Sequence, residues 1–346
     1  MPAFRSNSPE ARRRGARNRC AEFLPGPTLA ALVLVAAASR AAAVTGDDVC
    51  RMFREKSIPF DSNTVQRAAV NAMLMEVDPR ALLLSPADAA SQDSGQTVVA
   101  AEKWPEGIAY MKLGGLYDGG ASNVGDRLVE WTAQDLEGLI MDVRGAAGTS
   151  LETVDQVCGM FVPADTPLYE VSDASSRVLE LHSAPSSPIT PRRPPLMLIT
   201  DGTTRDASEV LCAALKGRPG VMLVGAPTLG DTGLREVIPL SSNLLVYVAT
   251  RRVRPIGADD FAGRGVLPDV ELSQVKANGA AAVRPENGGV IKPLSAKARK
   301  DRNLMLRVAG DPPLMRAVDI LLGLKALRPD APPAGAVVEA ESAPDG

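Results

Sequence analysis

From Gly107 to about Leu244 the chain alternates short apolar runs with amphipathic stretches, and that alternation fixes its fold class. "GIAYMKL" (Gly107 to Leu113) has the length and composition of a strand. Residues Asn123 to Leu136 follow with Val124, Leu128, Val129 and Trp131 at helical spacing. "LIMDV" (Leu139 to Val143) reads as a buried strand that ends in the glycine loop "RGAAGTS", and a helix from Leu151 to Phe161 comes next. Further strands are expected near Leu168, Val178, Leu196, Val221 and Leu244. Strands alternating with helices predict an α/β sheet. Aromatic residues make up only 3% of the chain, so its core must be built mostly from Leu, Val, Ile, Met and Ala.

The flanks read differently. Residues 1–43 carry a basic cluster (Arg12, Arg13, Arg14, Arg17, Arg19), an apolar run from Thr28 to Ala38, and the small pair Ala41 and Ala43. That order predicts an export signal and a periplasmic or extracellular protein. Residues 44–84 are helical in pattern, 85–102 form a polar linker, and 103–275 form the core. Residues 276–327 comprise a loose basic loop and the amphipathic helix Pro312 to Leu327; 328–346, rich in Pro, Ala and acid, read as a disordered tail. The first 43 residues hold seven arginines and two acids, which leaves 31 basic against 39 acidic residues, a net charge of about −8. A nucleic-acid surface is excluded on that balance. Membrane contact would come only through an uncleaved signal, and an oligomer is left open.

Cysteine and histidine use narrows the chemistry. Beyond the signal stand Cys50, Cys158 and Cys212, with no C-x-x-C pair, and Cys158 and Cys212 fall in helical patterns as buried free thiols. His182 is the only histidine, so a zinc centre or a Ser-His-Asp triad would rest on one imidazole. No metal and no cofactor is predicted.

"LITDGTTRDASEVLCAAL" (Leu198 to Leu215) has the layout of a catalytic strand, loop and helix, in which the helix start should present a nucleophile. Asp206 holds that place. Asp206 with Glu209 has the D-x-x-E form of a helix N-cap followed by a carboxylate three residues on, and a negative charge there suits the helix dipole. Thr203, Thr204 and Ser208 are nearby hydroxyls, but each is displaced from the helix-start position.

The segments "DPRALLLSP", "GIAYMKLGGL", "LEGLIMDVRGAAG", "TTRDASEVLCAAL", "VMLVGAPTLGDTG" and "GRGVLPDVEL" together resemble, in order and spacing, the tail-specific or carboxyl-terminal processing serine proteases, over about residues 50 to 275. The resemblance implies a crotonase-like or ClpP-like core of spiralling ββα units with helical N- and C-terminal extensions. It also implies peptide-bond hydrolysis by a serine-lysine dyad in active members.

Residue by residue, the dyad is missing. The family's serine directly precedes an A-S-E tripeptide; here Ala207-Ser208-Glu209 is preceded by Asp206. Asp231 stands where the resemblance puts the general-base lysine, and Arg235 where it puts the glutamine that orients that lysine. A carboxylate is a weak nucleophile towards an amide, and no lysine lies between Lys216 and Lys276 to serve as the base. An Asp231–Arg235 or Asp206–Arg235 ion pair is expected to fill the old cleft. The resemblance also assigns Gly145, Ala146 and Ala207 to an oxyanion-like loop, and the short interval before Gly107 leaves no room for the family's PDZ module. The reading favoured is an exported, inactive peptidase homologue that binds a peptide or unfolded protein segment. The alternatives are an active serine-type endopeptidase with relocated groups and a structural subunit of an active paralogue.

Overall fold

A computed structural model describes residues 45–92, 94–187, 193–272 and 296–327. The export signal read in 1–43 and the tail from 328 to 346 lie outside the described residues. The described residues fall into two compact units that divide between Gln66 and Arg67. In the first, helix α1 (Gly46–Glu55) opens on a capping box: the Thr45 side chain accepts from the Asp48 amide, and the Asp48 side chain accepts from the Thr45 amide. Helix α2 (Ser62–Val77) begins before the division and has most of its length in the second unit.

The second unit is built on a six-stranded sheet. Its spatial order is β13 (Val270–Glu271), β10 (Val221–Gly225), β9 (Leu196–Thr200), β5 (Gly138–Asp142), β3 (Ile108–Leu113) and β2 (Val98–Lys103). All neighbours are parallel except the β2–β3 pair. Every residue of β5 and β9 is buried, as a sheet covered on both faces requires. Alternate side chains serve two separate cores. Met111, Leu139, Met141, Leu196 and Leu198 pack with helices α4 (Gly120–Thr132), α5 (Leu151–Gly159) and α6 (Ala207–Leu215). Ile108, Tyr110, Ile140, Met197 and Ile199 pack with Leu314, Ala317 and Leu321 of α8 (Pro312–Ala326). Those three α8 residues recur at intervals of three and four and so form one stripe.

The other sheet has five strands and is antiparallel throughout. The long strand β12 (Leu244–Pro255) pairs with β11 (Gly233–Ser241), with β1 (Leu82–Leu84) and with β7 (Pro167–Asp173), and β7 carries β8 (Val178–Ser183) at its edge. A short parallel pair, β4 (Gly115–Leu116) and β6 (Ala147–Gly148), completes the strands.

The α/β architecture matches the sequence reading, with four local corrections. Leu82–Leu84, read within a helical segment, is strand β1, because its backbone pairs with Leu245 to Tyr247. The supposed linker 85–102 contains helix α3 (Pro86–Gln92) and most of β2, whose ladder to β3 satisfies its backbone. Residues 296–300, the end of a basic loop read over 275 to 300, are instead the start of helix α7 (Ala296–Ala309). Val129, expected on the apolar side of its helix, is 52% exposed, while Val124, Leu128 and Trp131 are buried. Cys50, Cys158 and Cys212 are buried free thiols, and burial pushes the Cys158 and Cys212 thiols well up.

Candidate functional site

Strand β9 ends in a loop, residues 201–206, that delivers the chain to α6. Asp206 occupies the N-cap position of α6 with φ 55° and ψ −135°, a conformation sparsely populated by residues other than glycine. Its carbonyl accepts from the Glu209 and Val210 amides, but its side chain makes no capping bond. This corrects the capping role expected from D-x-x-E. With φ positive, the carboxylate leaves the first turn of the helix and is grasped by Arg80, Oδ1 to Nη1 at 2.7 Å and Oδ2 to Nη2 at 2.9 Å.

Glu209 departs from the expected pairing too. It is fully buried, and it accepts hydrogen bonds from the Thr228 hydroxyl, from the Gly230 amide at 2.5 Å and from the Asp231 amide at 3.0 Å. Thr228 in turn accepts from the Val266 amide. Burial pushes the Glu209 carboxyl up, against the opposing pull of these donors. Glu209 thereby fixes the loop that carries Asp231. A charged residue inside the otherwise apolar run "ASEVLCAAL" is the sequence signal for such a buried anchor.

Asp231 shares the guanidinium of Arg80, with Oδ2 at 2.7 Å from Nη1, and the same oxygen lies 2.8 Å from Arg235 Nη1. The ion pair expected between Asp231 and Arg235 is therefore formed, and Asp206 Oδ1 is 3.9 Å from the same nitrogen. The principal partner of Arg235 is one that sequence reasoning misses. Its Nε and Nη2 form a two-pronged contact with Asp78, at 2.9 and 2.6 Å, and both side chains are nearly inaccessible, at 4% and 7% exposure. Asp78 also accepts from the amides of Arg80 and Ala249. Burial alone would raise the Asp78 carboxyl, but these donors hold it below the ordinary carboxylate value; against the same effect of burial, the Gly233 amide and the two arginines hold Asp231 down.

Three carboxylates (Asp78, Asp206, Asp231) thus meet three guanidiniums (Arg80, Arg205, Arg235), with Arg205 Nε 3.3 Å from Asp206. The cluster is charge-balanced. Arg80 and Asp78 lie more than 120 residues before their partners in the chain, and nothing local to "DPRALLLSP" reports on that meeting.

Nearby hydroxyls are occupied. Ser208 is buried and donates to the Ala147 carbonyl at 2.5 Å; Thr204 is buried and donates to the Val143 carbonyl at 2.9 Å; Thr203 donates to Asp201 at 2.6 Å. Lys112 is tied to Asp142 at 3.0 Å and to the Arg144 carbonyl.

The glycine loop is held from both sides. Arg144 bridges buried Asp142 and Asp311, the N-cap of α8, with both carboxylates 2.7 Å from Nη2. Of the residues assigned to an oxyanion-like loop, Ala146 donates its N–H to the Val143 carbonyl and accepts from the Arg205 amide, each at 3.0 Å. The Ala146 amide is committed to closing a turn and is not directed at a ligand. Gly145 has φ 71°, and Ala207 begins α6. At Gly148, with φ 107°, a Cβ would sit 2.2 Å from backbone atoms of Leu116.

Beside Asp206 lies an open groove of about 540 Å³ lined by Arg80, Leu82, Tyr117, Arg205, Leu229 and Tyr247 among others. Among the described residues no cluster of His, Cys, Asp and Glu could hold a metal ion, and no helix is long and apolar enough to cross a membrane.

A family model described as peptidase family S41 matches residues 107–272. The carboxy-terminal processing protease CtpB of Bacillus subtilis is 24% identical over 182 residues, which cover 52% of this chain and 37% of that protein. The chloroplastic C-terminal processing peptidase of Tetradesmus obliquus is 29% identical over 179 residues, covering 50% and 38%. This chain therefore matches less than two fifths of the length of either relative. Among solved structures, a lipoprotein from Streptococcus agalactiae shares the fold with a TM-score of 0.51, at 16% identity, over 66% of this chain and 84% of its own.

Proposed function

Because residues 107–272 match the model of peptidase family S41, we propose that this chain is an exported, non-hydrolytic homologue of that family that binds an extended peptide or unfolded protein segment in the groove beside Asp206. The observation that supports this reading is the shared guanidinium. Asp206 and Asp231, which the resemblance sets in the places of the serine and the lysine, both bind Arg80 at 2.7 Å. Two carboxylates locked on one cation offer neither an activated hydroxyl nor a neutral amine to take its proton. The groove supplies the binding half of the proposal: aliphatic and aromatic walls for side chains, with the exposed Arg205 for backbone carbonyls. Export rests on the basic and apolar order of residues 1–43.

The test sets the chain against an unfolded protein substrate, with cleavage followed by mass spectrometry and labelling by a serine-directed phosphonate, alongside thermal melting with a peptide library. The expected result is no cleavage, no labelling and a raised melting temperature with a subset of peptides. Cleavage with labelling of a hydroxyl would replace this reading by an active endopeptidase. Absence of any peptide shift, with stable co-purification of a larger S41 protein, would replace it by a structural subunit. The variant Asp206→Ser, Asp231→Lys, Arg235→Gln is expected to stay inactive unless Arg80 and Asp78 are also neutralised. The amine it introduces at position 231 would face the Arg80 guanidinium, and Asp78 would lose its partner.

A further inference from the structure

His182, the chain's only histidine, stands on edge strand β8 with both ring nitrogens against carboxylates. Nδ1 is 2.7 Å from Asp155 Oδ2 on α5, and Nε2 is 3.2 Å from Glu180 Oε2 on its own strand. The ring is stacked on Tyr169 of β7, with centroids 4.6 Å apart and planes at 17°. A neutral imidazole carries one N–H, so it can satisfy only one of these contacts and turns a lone pair towards the other carboxylate. An imidazolium donates to both. The geometry therefore belongs to the protonated ring.

Both carboxylates are fixed from behind. Asp155 Oδ1 accepts from the Tyr169 hydroxyl at 2.6 Å, and Glu180 Oε1 accepts from Arg251 Nη1 of β12 at 3.0 Å. Arg251 reaches on to Glu236 of β11 at 2.8 Å. Cys158, three residues beyond Asp155 on α5, is a further titratable neighbour, a buried neutral thiol. A single line of contacts thus runs α5, β8, β12, β11, with one proton at its centre.

We propose that His182 is a proton-operated clasp that fastens the β7–β8 hairpin to helix α5 and releases the edge strand when the ring deprotonates. The ring's hydrogen bond to Asp155 is the largest influence raising its pKa; burial opposes it, and Glu180 adds to it. The folded value lies above the ordinary histidine value, so the tie is complete below that ordinary value and is lost as pH rises through the folded one. With the ring neutral, the one remaining N–H can give Asp155 only an uncharged hydrogen bond and the bare Nε2 lone pair faces Glu180, so the charged tie to α5 is lost. Strand β8 is then held by its ladder to β7, which already has two register irregularities.

The test uses the full-length chain and two readouts across the range in which histidine titrates. NMR follows the single imidazole, and hydrogen exchange follows the β8 amides, corrected for intrinsic chemistry. The expected result is a rise of roughly tenfold in β8 exchange with increasing pH, the scale of one lost charge-assisted hydrogen bond, with the same midpoint as the imidazole. In His182→Gln the rise disappears. In Glu180→Gln, which keeps the Asp155 contact and guards against misfolding of the first variant, both midpoints move down together. A β8 exchange profile without the step, or a midpoint that stays put while the imidazole midpoint moves, overturns the proposal.

Discussion

Two ionic assemblies tie distant strands of this molecule together, and they are made of different cations. Around Asp78, Asp206 and Asp231 every positive partner is an arginine, charged at any pH a protein meets, so the assembly answers only to acid. Around Asp155 and Glu180 the central cation is an imidazole, and the assembly answers near neutrality. Similar distances, 2.6 to 3.2 Å, therefore give a permanent strut in one place and a conditional one in the other. Proximity of opposite charges says little about behaviour until the pKa of the cation is considered.

The comparison can be broken most severely at Arg235. Arg235→Met would leave Asp78 buried without its guanidinium partner, and a loss of about 3–5 kcal/mol is expected in urea unfolding. The double variant Arg235→Met, Asp78→Asn should recover part of that loss; a single-variant loss below about 1 kcal/mol would mean the arginine assembly is not a strut.

Acid should dismantle the same assembly. The Asp78 and Asp231 carboxyls sit below their unfolded values, so their contribution is present above the ordinary carboxylate value and is lost as pH falls through the folded ones. Melting temperature against pH should therefore fall on that acidic side, and the slope should shrink in Asp231→Asn.

At Asp206 the backbone and the ion pair pull in opposite directions. Asp206→Gly relieves the positive φ while Arg80 keeps Asp231, and it should be more stable than Asp206→Ser by about 1 kcal/mol. Equal stabilities would show that the φ of 55° stores no strain.

Smaller again is the effect of His182→Gln, about 1 kcal/mol on the acid side of the histidine range and near zero on the alkaline side, read from urea unfolding at the two pH values. Arg251→Met should cost least in the same measurement, within about 0.5 kcal/mol, since its carboxylate partners are nearly half exposed.

What the sequence discloses follows from how local each cause is. The buried strands at Leu139 and Leu196 and the stripe of α8 are written in runs of apolar residues, and they appear where expected. The backbone ladder that makes Val98–Lys103 a strand lies across in β3, so a stretch with polar flanks reads as linker. At Asp206 the D-x-x-E motif specifies residue types and cannot specify φ, and it is φ that sends the carboxylate to Arg80 instead of the helix amides. Arg80 and Asp78 come within reach only through three-dimensional contact, and they supply most of the ionic bonding at the site.

Gly148 shows how a site's outline can be fixed by packing alone. Any side chain at position 148 would collide with the backbone of Leu116, which the β4–β6 pair holds in place. The glycine is thus demanded by the way two strands pass each other, and a hydrolase and a pure binder built on this frame would both have to retain it. Its presence is a record of carpentry, and the trade practised inside must be read from Asp206, Asp231 and the arginine between them.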